Sequence, residues 1–155
     1  RRMVSLHRPE RGVDMTLNPN TGAIILAFFE WKDEYNLGIS LMDRQHREIV
    51  GIIDELYEAM KNGQGEAVLG GLLARMTTYS LQHFTLEEQM MSKYRYPDQA
   101  QHELEHQAYR SKTAELMAKH EKSTLALSVA TAQYLKTWWV NHIQTTDRKY
   151  VPYMS

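Results

Sequence analysis

The chain has 155 residues, which suits one domain, and 43% of them are apolar, enough to bury one continuous core. Lys and Arg (18) nearly balance Asp and Glu (19), so the net charge of −1 gives no electrostatic basis for binding nucleic acid or an anionic membrane. The absence of cysteine excludes disulfides, cysteine-rich zinc sites, Fe–S clusters and thiol catalysis.

Residues 1–22 have the composition of an extension or linker, with two prolines, two glycines and no apolar periodicity. The apolar run Ala23–Phe29 is much shorter than the roughly 20 residues needed to cross a bilayer, and it lacks the cleavage pattern of a signal peptide. We therefore predict an extension at 1–22, one domain at 23–155, no membrane insertion and a cytoplasmic location. Because the chain starts with Arg1 instead of methionine, we expect a fragment or a processed form.

Four helices are predicted after an irregular lead-in over 31–39. The first begins near Ser40, where the segment to Asp43 resembles a capping box, and it stops at Asn62-Gly63. The others are predicted at about 66–93, at 97–119 and from 124 to at least 144, and no segment has the pattern of a strand. Because connections of about four residues force consecutive helices to be antiparallel, the predicted fold is an all-α, up-down-up-down four-helix bundle.

Five of the seven histidines and two carboxylates form one pattern, and they are the candidate metal ligands His46, His83, Glu87, His102, His106, His142 and Asp147. Members four residues apart, such as His83 and Glu87, share one face of a helix. When the chain is folded up and down at about 1.5 Å per residue, all seven come to one level near one end of the bundle. His7 and His120 lie off this level, and we interpret them as surface or capping residues.

The composition of this set limits the metal. Five imidazoles and two carboxylates exceed the ligands of one tetrahedral zinc, but they suit two first-row ions bridged by the carboxylates. Imidazole binds iron, copper, nickel or zinc, whereas carboxylate bridges favour iron or manganese. The glutamate-rich pattern of ferritin-like di-iron proteins is absent. Because a histidine-rich shell carries less negative charge to stabilise high-valent iron, the set favours binding of O2 over its cleavage.

The ligand positions and their flanking sequences resemble the hemerythrin family, and its bacterial branch in particular. The likeness covers roughly residues 31–154 and is carried by the segments 43–46, 83–88, 94–97, 139–143 and 147–150. Every ligand position of the family is filled, and residues 1–22 lie outside the likeness.

The resemblance implies a centre of two non-haem iron ions joined by an oxo or hydroxo bridge and by Glu87 and Asp147. It assigns three histidines to one iron (His102, His106, His142) and two to the other (His46, His83), which keeps an open position for O2 as ligand. It implies reversible dioxygen binding by a carrier, store or delivery protein that is not an enzyme, with an oxygen-consuming enzyme as a further partner. An O2 or redox sensor domain and an enzyme of peroxide or nitric-oxide chemistry stay open as alternatives.

The spacing of His142 and Asp147 predicts a local irregularity. Five residues correspond to about 140° around an ideal helix, so both side chains face the same centre only if the helix widens or breaks, as in a π-bulge. We therefore expect irregular backbone between Asn141 and Arg148.

Four apolar residues are candidates for the wall of the O2 pocket because of their helical offset from the ligands: Ile49, Val50, Trp139 and Ile143. An apolar wall would slow the loss of superoxide and the entry of protons. Asp43 and Glu88 are interpreted as solvated charges, with hydrogen bonding to ligand N–H groups as the alternative.

Overall fold

The computed structural model describes residues 16–17, 24–25, 27–64, 66–122 and 129–154. These ranges contain four α-helices, namely α1 (Ser40–Lys61), α2 (Glu66–Lys93), α3 (Gln99–Lys122) and α4 (Val129–Asn141). Helix α1 packs against α2 and α4, and α2 packs against α3. The predicted all-α four-helix bundle is confirmed, with α3 beginning just after the turn at Pro97; His7 and the expected start of α4 lie outside the described residues.

A short ladder precedes the bundle, although no strand was predicted. Strands β1 (Thr16–Leu17) and β2 (Ile24–Ile25) pair antiparallel, with Thr16 opposite Ile25. The sequence between them contains Asn, Pro and Gly, which favour turns. The ladder joins residues on both sides of the predicted boundary at residue 22, and that boundary stays a prediction. None of the helices in the described ranges has the length and apolar character that a membrane crossing requires.

The start of α1 differs from the predicted capping box. Ile39 occupies the N-cap position, Ser40 is the first helical residue, and the N-cap side chain makes no capping hydrogen bond. The carboxylate of Asp43 instead accepts hydrogen bonds from the backbone N–H of Leu37 (2.8 Å) and of Gly38 (3.1 Å). The capping-box prediction was wrong because this carboxylate reaches past the cap to the lead-in. Asp43 is therefore a buried structural anchor and not a solvated charge.

The residues just before the lead-in close the bundle between α1 and α4. The backbone N–H of Phe29 donates to Asp54 Oδ1 of α1 (2.9 Å), and the ring of Phe28 stacks on that of Tyr57 at 3.9 Å between centroids. Lys136 of α4 donates from Nζ to the carbonyl oxygen of Phe28 (2.7 Å). These contacts hold α1 and α4 together at the seam where the first and last helices meet.

Helix α2 is followed by a turn in which one residue has the left-handed backbone conformation. Arg95 has φ of 53°, and the next backbone N–H, that of Tyr96, donates to the carbonyl of Met91 (2.9 Å). This is the hydrogen-bond pattern of a helix C-cap, in which glycine is the usual residue. The ring of Tyr96 is buried and packs edge-on against Tyr150. The turn therefore ties the end of α2 to the segment that follows α4.

Candidate metal centre

The structure brings together the seven side chains that the sequence singled out: His46 of α1, His83 and Glu87 of α2, His102 and His106 of α3, and His142 and Asp147 after α4. Each is at most 3% exposed. They form two groups that share Glu87, one with His102, His106 and His142 and the other with His46, His83 and Asp147. We call the histidines of the first group the three-histidine group and those of the second the two-histidine group.

The ring nitrogens within each group are spaced as ligands of one ion. Nε2 of His106 lies 3.1 Å from Nε2 of His102 and 3.1 Å from Nε2 of His142. Nε2 of His46 lies 3.0 Å from Nε2 of His83. Two nitrogens that are each about 2.1 Å from one ion, at right angles to each other, are about 3.0 Å apart. Each group therefore has the dimensions of a half-shell around a metal ion.

Both carboxylates face the two groups at once. Glu87 Oε1 lies 3.1 Å from Nε2 of His106, and its Oε2 lies 2.9 Å from Nε2 of His83. Asp147 Oδ1 lies 3.0 Å from a ring nitrogen of the three-histidine group, and its Oδ2 lies 3.1 Å from Nε2 of His46. Because each carboxylate directs one oxygen to each group, both are placed to bridge two ions.

The two oxygens of Asp147 test whether metal ions fit this site. Both are buried, and neither accepts a hydrogen bond from the described residues, since the neighbouring ring nitrogens lie close but not in hydrogen-bonding directions. A buried carboxylate without hydrogen bonds costs several kcal/mol unless a cation compensates it. Iron accepts carboxylate oxygens of this kind as donors, together with ring nitrogens that point to the same place. The residues therefore fit a pair of metal ions.

The backbone widens where the spacing requires it. Residues His142–Thr146 form one π-helical turn, and Asp147–Tyr153 continue as a 3-10 helix. The predicted irregularity between Asn141 and Arg148 is confirmed. A π turn accommodates one residue more than an α turn, and so His142 and Asp147 face the same centre although they are five residues apart.

Three of the five histidine rings are held by hydrogen bonds from Nδ1, the nitrogen that faces away from the centre. The acceptors are Gln45 Oε1 for His83 (2.7 Å), Glu88 Oε1 for His106 (2.9 Å) and Glu105 Oε2 for His142 (2.7 Å). Such an acceptor fixes the proton on Nδ1 and leaves the Nε2 lone pair for a metal. The interpretation of Glu88 as a solvated charge was wrong, because its carboxylate accepts a hydrogen bond from a ring of the cluster, as the alternative interpretation expected.

Sequence reasoning missed Gln45, Glu105 and Tyr150. The hydroxyl of Tyr150 donates to Glu87 Oε2 (3.2 Å). Its ring also stacks on that of His102, with 5.6 Å between centroids. A usable signal existed for Tyr150, which lies three residues after Asp147, one helical turn away. Tyr150 therefore supplies a hydrogen bond, from inside the core, to the carboxylate that the two groups share.

The charged groups shift the pKa values of their neighbours. Burial raises the pKa of Glu87, but the surrounding histidines outweigh burial and hold it well below its usual range. Burial lowers the pKa of His102, but its contacts with Asp147 and Glu87 prevail and raise it to about 9. The pKa of Glu105 is lowered, chiefly by its hydrogen bond with His142. The buried carboxylates therefore stabilise positive charge among the histidine rings. A metal ion can supply that charge in place of bound protons.

The four residues predicted to line an O2 pocket, Ile49, Val50, Trp139 and Ile143, are all buried. The Trp139 ring lies 6.2 Å from that of His46 and 5.9 Å from that of His83, measured between centroids. Trp139 therefore packs beside the two-histidine group, and the role of the four residues as a pocket stays a prediction.

Comparisons with known proteins agree with this geometry. The family described as "Hemerythrin HHE cation binding domain" matches residues 37–154. A bacteriohemerythrin of Stenotrophomonas maltophilia is 30% identical over 81% of this chain and 80% of its own length. A bacteriohemerythrin of Methylococcus capsulatus is 28% identical over 84% of this chain and 99% of its own length. A crystal structure of wild-type hemerythrin superimposes with a TM-score of 0.76 at 29% identity, covering 83% of this chain and 99% of the other.

The matched range contains all seven residues of the buried cluster, and it begins at the loop that Asp43 anchors. The bundle, the two histidine groups and the π turn that completes them all lie within it. The chain therefore belongs to the hemerythrin family.

Proposed function

We propose that this protein binds dioxygen reversibly at a non-haem di-iron centre and acts as an oxygen carrier, store or delivery protein. The observation that carries the proposal is the pair of histidine groups joined by two carboxylates, all of them buried. Five imidazoles and two carboxylates are a donor set that iron accepts. Family membership supports both the di-iron centre and O2 as its ligand.

The seven residues are proposed as the iron ligands, with Glu87 and Asp147 bridging. When bound, the two ferrous ions supply the electrons that O2 accepts. The two-histidine group gives its iron one protein nitrogen fewer than the three-histidine group does, which favours it as the side on which O2 binds. Trp139 packs against both of its rings. The indole therefore shields this side from water.

A role in binding instead of turnover is part of the proposal. The ligand side chains are at most 3% exposed, so the centre admits only a small molecule and offers no open face to a larger substrate. A cytoplasmic location, with an oxygen-consuming enzyme as recipient of the O2, completes the proposal. The cysteine-free composition suits a reducing compartment.

Air titration of the reduced protein tests this function. The chain is reconstituted with Fe(II) without oxygen, and its metal content is determined. We expect two irons per chain and a visible charge-transfer band that appears in air and fades under vacuum over repeated cycles. A one-way conversion to the ferric form would contradict a carrier, saturable peroxide turnover would favour an enzyme, and a single zinc per chain would contradict the di-iron centre.

Replacing Glu87 with alanine tests the bridging assignment. The substitution removes the oxygens that face both histidine groups, so we expect loss of one or both irons. Glu115→Ala is the matched control, because Glu115 lies on the exposed surface of α3 and pairs with Lys119. If the Glu87 variant retained two irons with an unchanged spectrum, Glu87 would not be a bridge.

A further inference from the structure

The outer hydrogen bonds of the two histidine groups differ in charge. In the three-histidine group, two rings donate from Nδ1 to carboxylates, those of Glu88 and Glu105. In the two-histidine group, the one ring with a side-chain acceptor donates to the neutral amide of Gln45. Within the described residues, Nδ1 of His46 and Nδ1 of His102 have no hydrogen-bond partner. Among the described residues, carboxylates therefore accept hydrogen bonds from the outer nitrogens of the three-histidine group, whereas none does so in the two-histidine group.

The carboxylates of Glu88 and Glu105 are not equivalent. Glu88 Oε1 also accepts a hydrogen bond from Nη2 of Arg110 (3.1 Å), so part of its charge is compensated. Both oxygens of Glu105 accept from the hydroxyl of Thr146, at 2.9 and 2.8 Å, and that partner is neutral. Thr146 therefore holds Glu105 against His142 without cancelling its charge.

We propose that Glu88 and Glu105 are positioning residues that make the iron of the three-histidine group the more easily oxidised of the two. A carboxylate that accepts a hydrogen bond from Nδ1 increases the electron density on Nε2, so the ring binds a ferric ion more tightly relative to a ferrous one. Its negative charge acts in the same direction. The first electron removed from the reduced centre then comes from the three-histidine iron. This inference rests on the proposed di-iron function.

Stepwise oxidation measures this difference. One ferricyanide per chain removes one electron from the diferrous protein and becomes ferrocyanide, and a second completes the oxidation. E105Q keeps the shape and a hydrogen-bond acceptor but removes the charge. Because changes behind a ligand histidine alter metal affinity about 10- to 100-fold, we expect the first oxidation to become about tenfold less favourable, a rise of about 59 mV for one electron. E88Q should give a smaller rise because Arg110 already compensates part of its charge.

Two further variants make the result specific. Q45E places a carboxylate behind His83, so it should lower the potential of the second step and leave the first nearly unchanged. E115Q makes the same charge change as E105Q on the exposed surface of α3, and both potentials should stay as in the unaltered protein. T146V keeps the charge of Glu105 but releases its position, so it should raise the first potential even if E105Q loses iron.

The outcomes separate this inference from the proposed function. Failure of the unaltered chain to bind two irons would overturn the proposed function. Two irons with unchanged potentials in E105Q and Q45E would overturn this inference and leave the proposed function standing. Equal shifts of both steps in every variant would show a general electrostatic field, and would likewise overturn a difference between the two irons.

Discussion

Replacing Tyr109 with phenylalanine should lower the free energy of unfolding by about 1–3 kcal/mol, because it leaves a buried N–H without a partner. The indole N–H of Trp139 on α4 donates to the hydroxyl of Tyr109 on α3 (3.1 Å). That hydroxyl lies 3.1 Å from Ser80 Oγ on α2, and Ser80 itself donates to the carbonyl of Met76 (2.7 Å). Since the indole can only donate and Ser80 already uses its proton, Tyr109 must donate to Ser80. One directed chain of hydrogen bonds therefore joins three helices.

The substitution removes the middle of this chain without creating a large cavity, because phenylalanine retains the ring. Tyr109 and Trp139 are fully buried, so no water replaces the lost hydroxyl at the indole. For a chain of this length, 1 kcal/mol corresponds to about 2–4 °C in the melting temperature. We would measure urea and thermal unfolding by circular dichroism, at equal protein concentration and equal iron content for all variants.

A double-mutant cycle identifies the cause. In a Trp139→Phe background no indole N–H is left to be unsatisfied, so the cost of Tyr109→Phe should fall by about 1 kcal/mol, within the range typical of contacting residues. An equal cost of Tyr109→Phe in both backgrounds would refute the hydrogen-bond reasoning and point to ring packing instead.

Three further predictions concern sites away from the metals. Asp43→Ala should cost about 1–3 kcal/mol in urea unfolding, because two amides of the lead-in lose their acceptor, and Asp43→Asn should cost less; equal costs would contradict this. A Cβ on Gly70 would lie 2.8 Å from Nε2 of His120. Gly70→Ala should therefore raise the free energy of unfolding by about 0.5–1 kcal/mol only in a His120→Ala background. An equal gain with His120 present would contradict the contact. Because burial raises the pKa of Tyr109 from 10.0 to about 12, stability should fall as the pH rises through this window, less steeply for Tyr109→Phe; parallel pH curves would contradict it.

The bundle was predictable because its helices carry local signals of where they stop. Asn62-Gly63 ends α1 and Pro97 precedes α3, and the structure places both helix ends close to these residues. The anchoring of the residues just before the lead-in was not predictable in this way. The hydrogen bond from Lys136 to Phe28 joins residues 108 positions apart. Local patterns carry no information about such a contact.

The seven clustered residues were predictable because spacing along four antiparallel helices fixes their height, and a five-residue interval predicted the π turn. Their outer partners depend also on rotation about each helix axis, which spacing does not fix. A pattern still emerges from the structure. Gln45 and Glu105 each precede a ligand by one residue, and Glu88 follows one. Such neighbours share the height of the ligand but are turned about 100° toward the adjacent helix, where each contacts a different ligand.

The buried carboxylates of the centre and the partly exposed carboxylates around it differ in how their charge is compensated. Among the described residues Asp147 accepts no hydrogen bond, and the hydroxyl that donates to Glu87 is that of Tyr150, so hydrogen bonds compensate the charge of the two buried carboxylates only in part. Metal ions can compensate the remaining negative charge, and this compensation couples iron binding to the stability of the fold. Glu88 and Glu105 lie instead at the rim, with side chains 22% and 44% exposed. Water lowers the cost of their charge there, while a direct hydrogen bond still transmits it to a ligand ring. In the proposed centre the bridging carboxylates would thus bind the metals, and the rim carboxylates would adjust the electron density that reaches one of them.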